Sequence, residues 1–212
     1  MEERIPARPI QPRRLRGLKT RASLLDAVEA LVAAEGPVAV TTTRIAAETG
    51  VSVGTIYRYF TDREALLLAA YDATVNRIVA RCAAVLEALP GNIQPAQAAR
   101  HLLASYLNEA EAVPAHAGLL AAMRAIRPVE ADQSGGNEVS ITANLLVPFL
   151  EKFAPGAAVD PARLHFMNVL IGTMVDLYLV TPDAAERLGL RAEIEAHTLL
   201  ALERTLIATR LD

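Results

Sequence analysis

The chain has 212 residues, 52% of them hydrophobic and 21% charged, and a formal net charge of −3. That balance excludes a largely disordered chain, a collagen-like repeat and a supercharged tail protein, while the length suits one large domain or a small one joined to a larger. The lone cysteine, Cys82, excludes an internal disulfide framework and a multi-thiolate metal site, which favours a reducing compartment.

The first residues, MEERIPARPIQPRRLRG, carry arginines with no apolar run behind them, unlike a signal peptide. Residues 1–64 hold ten Lys/Arg against eight Asp/Glu and residues 65–212 eleven against sixteen, so positive charge is concentrated at the front. Arg8, Arg13, Arg14, Arg16, Lys19 and Arg21 share one stretch without an acid, which reads either as a solvated tail or as a phosphate-binding arm. Pro6, Pro9 and Pro12 keep the first dozen residues extended, so residues 1–17 are expected to form a disordered basic arm. Leu24, Leu25, Val28, Leu31 and Val32 then recur at helical spacing and predict a helix over 19–35, stopped by Gly36-Pro37.

Thr41 offers a hydroxyl cap to a short helix over 42–49, although Arg44 stands where a capping box has Glu or Gln. Gly50 ends that helix, Ser52 caps the next over 53–60, and Asp62 caps a long one over 63–89 that stops at Pro90-Gly91. Two short helices across a tight glycine turn, followed by a long helix, make a helix-turn-helix layout. Ile45 and Ala46 should face inward, Ala47 should allow two helices to cross, Val51 should plug the corner, and Ile56 and Phe60 should reach the small core. Only nine aromatic residues occur in the chain, yet Tyr57, Tyr59 and Phe60 fall within four positions. Core packing accounts for Phe60 but not for two phenols behind a basic stretch. Hydroxyls of Thr55, Tyr57 and Tyr59 can bond phosphate oxygens and base edges, and Val53 can touch thymine methyls. The plainer reading of the segment is an amphipathic helical hairpin without a ligand.

Beyond Pro90 the periodicity is helical over about 95–111, 115–127, 138–153, 160–180 and 192–209, and no strand is needed. The most apolar run, Val169 to Val180, is short of the roughly 20 residues a membrane span needs and contains Asp176, so no membrane association and a cytoplasmic location are expected. His101, His116, His165 and His197 are scattered; no metal, cofactor or catalytic constellation is read from them, and there is no phosphate-binding glycine loop. Cys82 reads as a small core residue rather than a redox sensor. Tyr106, Met123, Phe149, Met167, Met174 and Tyr178 are either ordinary core or the lining of a small-molecule cavity. Asn168, Thr173 and Asp176 lie among apolar residues, where they hydrogen-bond a ligand, pair across a dimer or lie on a wet edge. The eighth helix is apolar nearly all round, and the ninth has Ile194, Leu199, Leu200, Leu202, Leu206 and Ile207, an excess that predicts a four-helix bundle with a second copy.

From about Thr20 to Tyr71 the sequence resembles the TetR family of transcriptional regulators. The residues that carry the likeness are Ile45-Ala46-Ala47, Gly50-Val51-Ser52, Gly54-Thr55-Ile56-Tyr57-Arg58-Tyr59-Phe60 and Asp62-Arg63-Glu64-Ala65-Leu66. The resemblance implies an all-α fold of about nine helices: a helix-turn-helix head over 18–64 and a helical effector-binding and dimerisation body over 65–212. It also implies a homodimer on palindromic double-stranded DNA, released by a small-molecule effector, and no enzymatic activity. By the same resemblance Thr41, Thr42 and Thr43 contact the DNA backbone, and Ser52, Val53, Gly54, Thr55, Tyr57, Arg58 and Tyr59 form the recognition surface. Arg63 would hold a phosphate, with Arg13, Arg14, Arg16, Lys19 and Arg21 adding a basic arm. Many members have a cation at the place of Val53 and Lys at the place of Thr61, so readout here should shift toward thymine contacts. The competing readings are a DNA-binding regulator controlled by a partner protein and a helical-bundle enzyme.

Overall fold

The computed structural model describes residues 13–127, 141–156 and 160–208, with side chains described for 15–127, 141–156 and 160–205. The described residues are helical, without a strand. They form α1 (Arg13–Glu35), α2 (Thr42–Thr49), α3 (Val53–Tyr57), α4 (Arg63–Ala88), α5 (Pro95–Glu111), α6 (His116–Ile126), α7 (Val147–Phe153), α8 (Pro161–Val180) and α9 (Ala184–Ala208). A 3-10 turn, Pro37–Ala39, links α1 to α2, and a π-helical turn, Thr142–Leu146, leads into α7.

Local chemistry sets most of these boundaries. Thr41, Ser52 and Asp62 each accept a hydrogen bond from the backbone N–H three residues on, and Gly50 closes α2 in the left-handed conformation at φ 68°. Lys152 Nζ donates to the carbonyls of Leu86 and Glu87 at 2.9 and 2.8 Å, satisfying acceptors that the end of α4 leaves open.

Several boundaries differ from the expectation. Helix α1 begins at Arg13 rather than near 19, so residues 13–17 are helical and not part of an extended arm. Arg, Leu and Lys are good helix formers, but Leu15 and Leu18 are exposed, so no buried stripe betrays this first part. Helix α3 ends at Tyr57 rather than 60; the next turn tightens, with Arg58 N bonded to Thr55 O at 3.2 Å and Tyr59 N to Ile56 O at 2.9 Å. Helix α9 starts at Ala184, not 192, because Asp183 Oδ1 accepts from Glu186 N at 2.7 Å. Its first turns, with Leu188 and Gly189 exposed, lack the apolar stripe that marks a helix in sequence. The expected start of the 138–153 helix lies outside the described residues, as do Arg4 and Arg8 of the arm.

Helix α8, 20 residues long with a mean hydropathy of 1.2 in its most apolar window, is long and apolar enough to span a membrane, contrary to the shorter run considered above. In the fold one face of it packs on α9, α6 and the π-turn.

Three apolar clusters hold the molecule together. The first joins Leu24 and Val28 of α1, Ile45, Ile56, Phe60 and Leu66, and is closed by Ala115 and Leu119 at the start of α6. The second contains Ile78, Cys82, Leu107, Leu120, Met123, Tyr178 and Leu179; the third Leu86, Ala98, Phe149, Phe153 and Leu202. Tyr71 and Val113 pack against both the first and the second, so the head and the body share a wall.

Candidate nucleic-acid interface and body cavity

The head presents one ordered polar edge. Thr41 caps α2 through its hydroxyl, 3.2 Å from Arg44 N, and Thr43 is exposed on the first turn with Thr42 half-buried beside it. Arg44 does not complete a capping box; its guanidinium forks onto Glu35, with Nη1 2.7 Å from Oε2, and that bond holds the Glu35 carboxyl below its ordinary range. Ile45 and Ala46 are buried as expected, whereas Ala47 is exposed and does not lie at a helix crossing.

On α3 the Ser52 hydroxyl accepts from Thr55 N at 3.1 Å and lies 2.9 Å from Thr55 Oγ1. Ile56 is buried while Tyr57, 54% exposed, points away from the core; Gly54 and Arg58 are exposed, and Val53, Thr55 and Tyr59 are half-buried. The tyrosines thus divide the tasks: Tyr59 packs against the head core, and Tyr57 has no packing role of that kind.

Helix α1 brings its basic stretch to the same edge. A Cβ placed on Gly17 would lie 3.6 Å from the Tyr59 hydroxyl, and the Arg21 guanidinium sits 5.6 Å from the centre of the Phe60 ring. Arg16 and Lys19 are exposed on this helix; Arg13 and Arg14 begin it, and their side chains lie outside the described set.

The Arg63 Nε donates to Val40 O and its Nη2 to Pro37 O, both at 2.6 Å, so the guanidinium ties the 3-10 turn to the start of α4. The turn leaves carbonyls without helical partners, and a fork-shaped donor half-buried beside them satisfies two at once.

Behind the head, α4, α5, α6, the π-turn, α7, α8 and α9 line a half-open cavity of about 550 Å³. Of the ligand candidates read from sequence, Tyr106, Phe149, Met167, Asn168, Thr173 and Asp176 line it. Met123, Met174 and Tyr178 do not: Met123 and Tyr178 are buried in the second apolar cluster, with Met174 packed against it. Asp176 meets Arg124, whose Nε lies 2.8 Å from Asp176 Oδ2 and whose Nη2 reaches the same oxygen. Burial, reinforced by the Asp176 charge, raises the Tyr106 phenol well above its ordinary value, so it stays protonated. Sequence reasoning missed Asp72, Asn76, Arg124, His165 and Thr198, which also line the cavity. The available signal was a single polar residue interrupting an apolar helical stretch, as Arg124 interrupts α6. Among the described residues no group of three or more His, Cys, Asp or Glu side chains could hold a metal ion.

Residues 24–70 match the family model described as bacterial regulatory proteins, tetR family. No curated protein matches the chain. Among solved structures, a TetR-family transcriptional regulator from Streptomyces coelicolor is 19% identical, with 88% of this chain and 99% of that one covered at a TM-score of 0.63. A TetR transcriptional regulator from Rhodococcus sp. RHA1 is 16% identical, covering 91% and 97% at a TM-score of 0.61. The transcriptional regulator FadR from Bacillus subtilis, solved in complex with stearoyl-CoA, is 14% identical, covering 84% and 97% at a TM-score of 0.54. At these identities the likeness is one of fold. The helix-turn-helix segment thus matches the tetR family of bacterial regulatory proteins in sequence, and the described residues share the fold of solved TetR-family regulators.

Proposed function

We propose that the protein is a cytoplasmic homodimeric repressor that leaves its operator when a small molecule occupies the body cavity. The observation that carries the DNA-reading part is the outward face of α3, where Tyr57 stands exposed on a helix pinned by the Ser52 cap and the buried Ile56. In the groove, Tyr57, Thr55, Val53 and Gly54 meet base edges and thymine methyls, while Thr41, Thr42, Thr43, Ser52, Arg58 and Tyr59 meet the backbone. Arg13, Arg14, Arg16, Lys19 and Arg21 add phosphate contacts from α1.

Dimerisation is supported by the outer faces of the last two helices. Phe166, Leu170, Thr173, Leu177 and Val180 follow one another along α8 at intervals of three and four, and Leu188, Ala192, Ala196 and Leu200 repeat every four along α9. Phe166 is 63% and Leu188 72% exposed, an arrangement suited to a four-helix bundle between two copies. Two-fold symmetry then matches a palindromic operator whose half-sites are about 34–36 Å apart.

Control operates as a shift of population: a ligand that binds better when the heads are wrongly spaced draws the dimer off DNA. Tyr71 supports this route, because it lines the cavity and packs against the head core. The ligand complex of FadR gives this fold a precedent for binding a small molecule. Selection of bound sequences from random duplex DNA, repeated with candidate effectors, tests the proposal. Failure to enrich any palindrome would overturn it.

A further inference from the structure

Of the residues that line the body cavity, His165 and Thr173 are exposed and the others are buried or half-buried. Both exposed residues belong to α8, so the opening of the cavity runs along that helix for about two turns, roughly 12 Å at the rise of an α-helix. His165, Asn168, Gly172 and Asp176 follow the cavity side of α8 at intervals of three and four. Thr173 stands further round the helix and has two memberships: it lines the cavity, and it lies in the outer row with Phe166, Leu170, Leu177 and Val180. The mouth of the cavity and the apolar outer face of α8 therefore share an edge.

That face continues onto α9, which packs beside α8. Phe166, Leu177, Val180, Leu188 and Leu200 are five of the nine large hydrophobic side chains exposed among the described residues. An apolar patch on two adjacent helices, present in the same form on every copy, is complementary to itself about a two-fold axis. A helix seated on the outer row is about 10–12 Å wide with its side chains, broad enough to overhang the neighbouring rim at Thr173 and His165.

Resting on the reading of α8 and α9 as the dimer face, we infer that the second subunit completes the effector cavity by roofing its mouth, so that a small apolar ligand and the partner subunit bind cooperatively. Leu102, Leu145 and Phe149 give the cavity an apolar floor. In a lone subunit a ligand on that floor keeps part of its surface in water through the open side; the roof removes that remainder. Whatever the partner adds to ligand affinity, the ligand returns to the dimer.

N-phenyl-1-naphthylamine, neutral and fluorescent in apolar surroundings, is the probe for the full chain. Its affinity should be about tenfold or more weaker for monomers, reached by dilution of the parent or by Leu188→Glu, a position off the cavity wall. A symmetric dimer holds two cavities, so saturating probe should lower the dimer dissociation constant in sedimentation equilibrium by the square of that factor. With Cys82 buried, His165→Cys supplies an accessible thiol off the apolar row, which iodoacetamide should modify much more slowly in dimers than in the Leu188→Glu background. Equal probe affinity in monomers and dimers, or a thiol whose reactivity ignores assembly, would overturn the inference and leave the dimer standing. A parent that sediments as a monomer before any probe is added would remove the dimer reading, and the roof with it. Dimers that bind no probe would overturn the cavity as the ligand site.

Discussion

Tyr57 and Arg63 lie six positions apart in the head and have opposite kinds of work. Tyr57 has an exposed ring and no core to support, so Tyr57→Ala should cost about 1–3 kcal/mol of binding to the preferred operator and leave stability within about 0.5 kcal/mol. Fluorescence anisotropy on specific and random duplexes, with urea melts alongside, would measure both. An equal loss on random DNA would reduce its role to phosphate contact. Arg63 spends its guanidinium on two backbone carbonyls, so Arg63→Met should destabilise the fold by about 1.5–3 kcal/mol per charged hydrogen bond at most. Its salt dependence of DNA binding should not change; a slope shallower by about 1 would restore Arg63 as a phosphate contact. His116 sets a pH dependence. It is buried, with Nδ1 3.2 Å from Ala110 O and its ring 6.1 Å from that of Tyr71, and burial lowers its pKa below the ordinary 6.5. The unfolded chain therefore takes up a proton that the folded one resists. The contribution to stability is flat above the ordinary value and is lost as pH falls below it. Urea melts at about pH 7.5 and 5.5 should show this loss, and His116→Gln should flatten it.

At the scale of elements, the contact between α6 and the end of α1 is the tightest glycine packing among the described residues. A Cβ on Gly118 would fall 2.8 Å from Val32 Cγ1 and 3.6 Å from Pro37 Cδ, and Val32 is itself buried. Overpacking there should outweigh the gain in helix propensity, so Gly118→Ala is expected to lose about 1–3 kcal/mol by chemical denaturation. A neutral or stabilising result would mean that α6 can slide on α1 without cost. The elements of the head were readable in advance because their ends are fixed locally: Thr41, Gly50, Ser52 and Asp62 act within three residues of themselves. The faces of α8 and α9 were not. When a helix is apolar nearly all round, periodicity cannot say which side meets the body, and so Leu202, which is buried in the third cluster, looked equivalent to exposed Leu200. The same limit governed the cavity. Met167 on α8 reaches it and Met174, two turns on, does not, a distinction made only when seven elements are brought together to line the space.

For the whole molecule, assembly is the property most open to a direct test. Glutamate at Phe166 or Leu177 places a charge on the outer face of α8 and should turn dimers into monomers in sedimentation, with operator affinity falling far more than for any one rim contact. Dimers with normal DNA affinity in both variants would move the interface elsewhere. Leu202→Glu would be no substitute, since it would damage the body core of each subunit. The wall shared by head and body has a further consequence. Ala115 and Leu119 complete the hydrophobic centre of the helix-turn-helix from a point fifty residues beyond it in the chain. A chimera that exchanges the head at a junction after α3 would therefore inherit a foreign plug for that centre. Portable recognition modules from this protein have to carry the matching face of α6 with them.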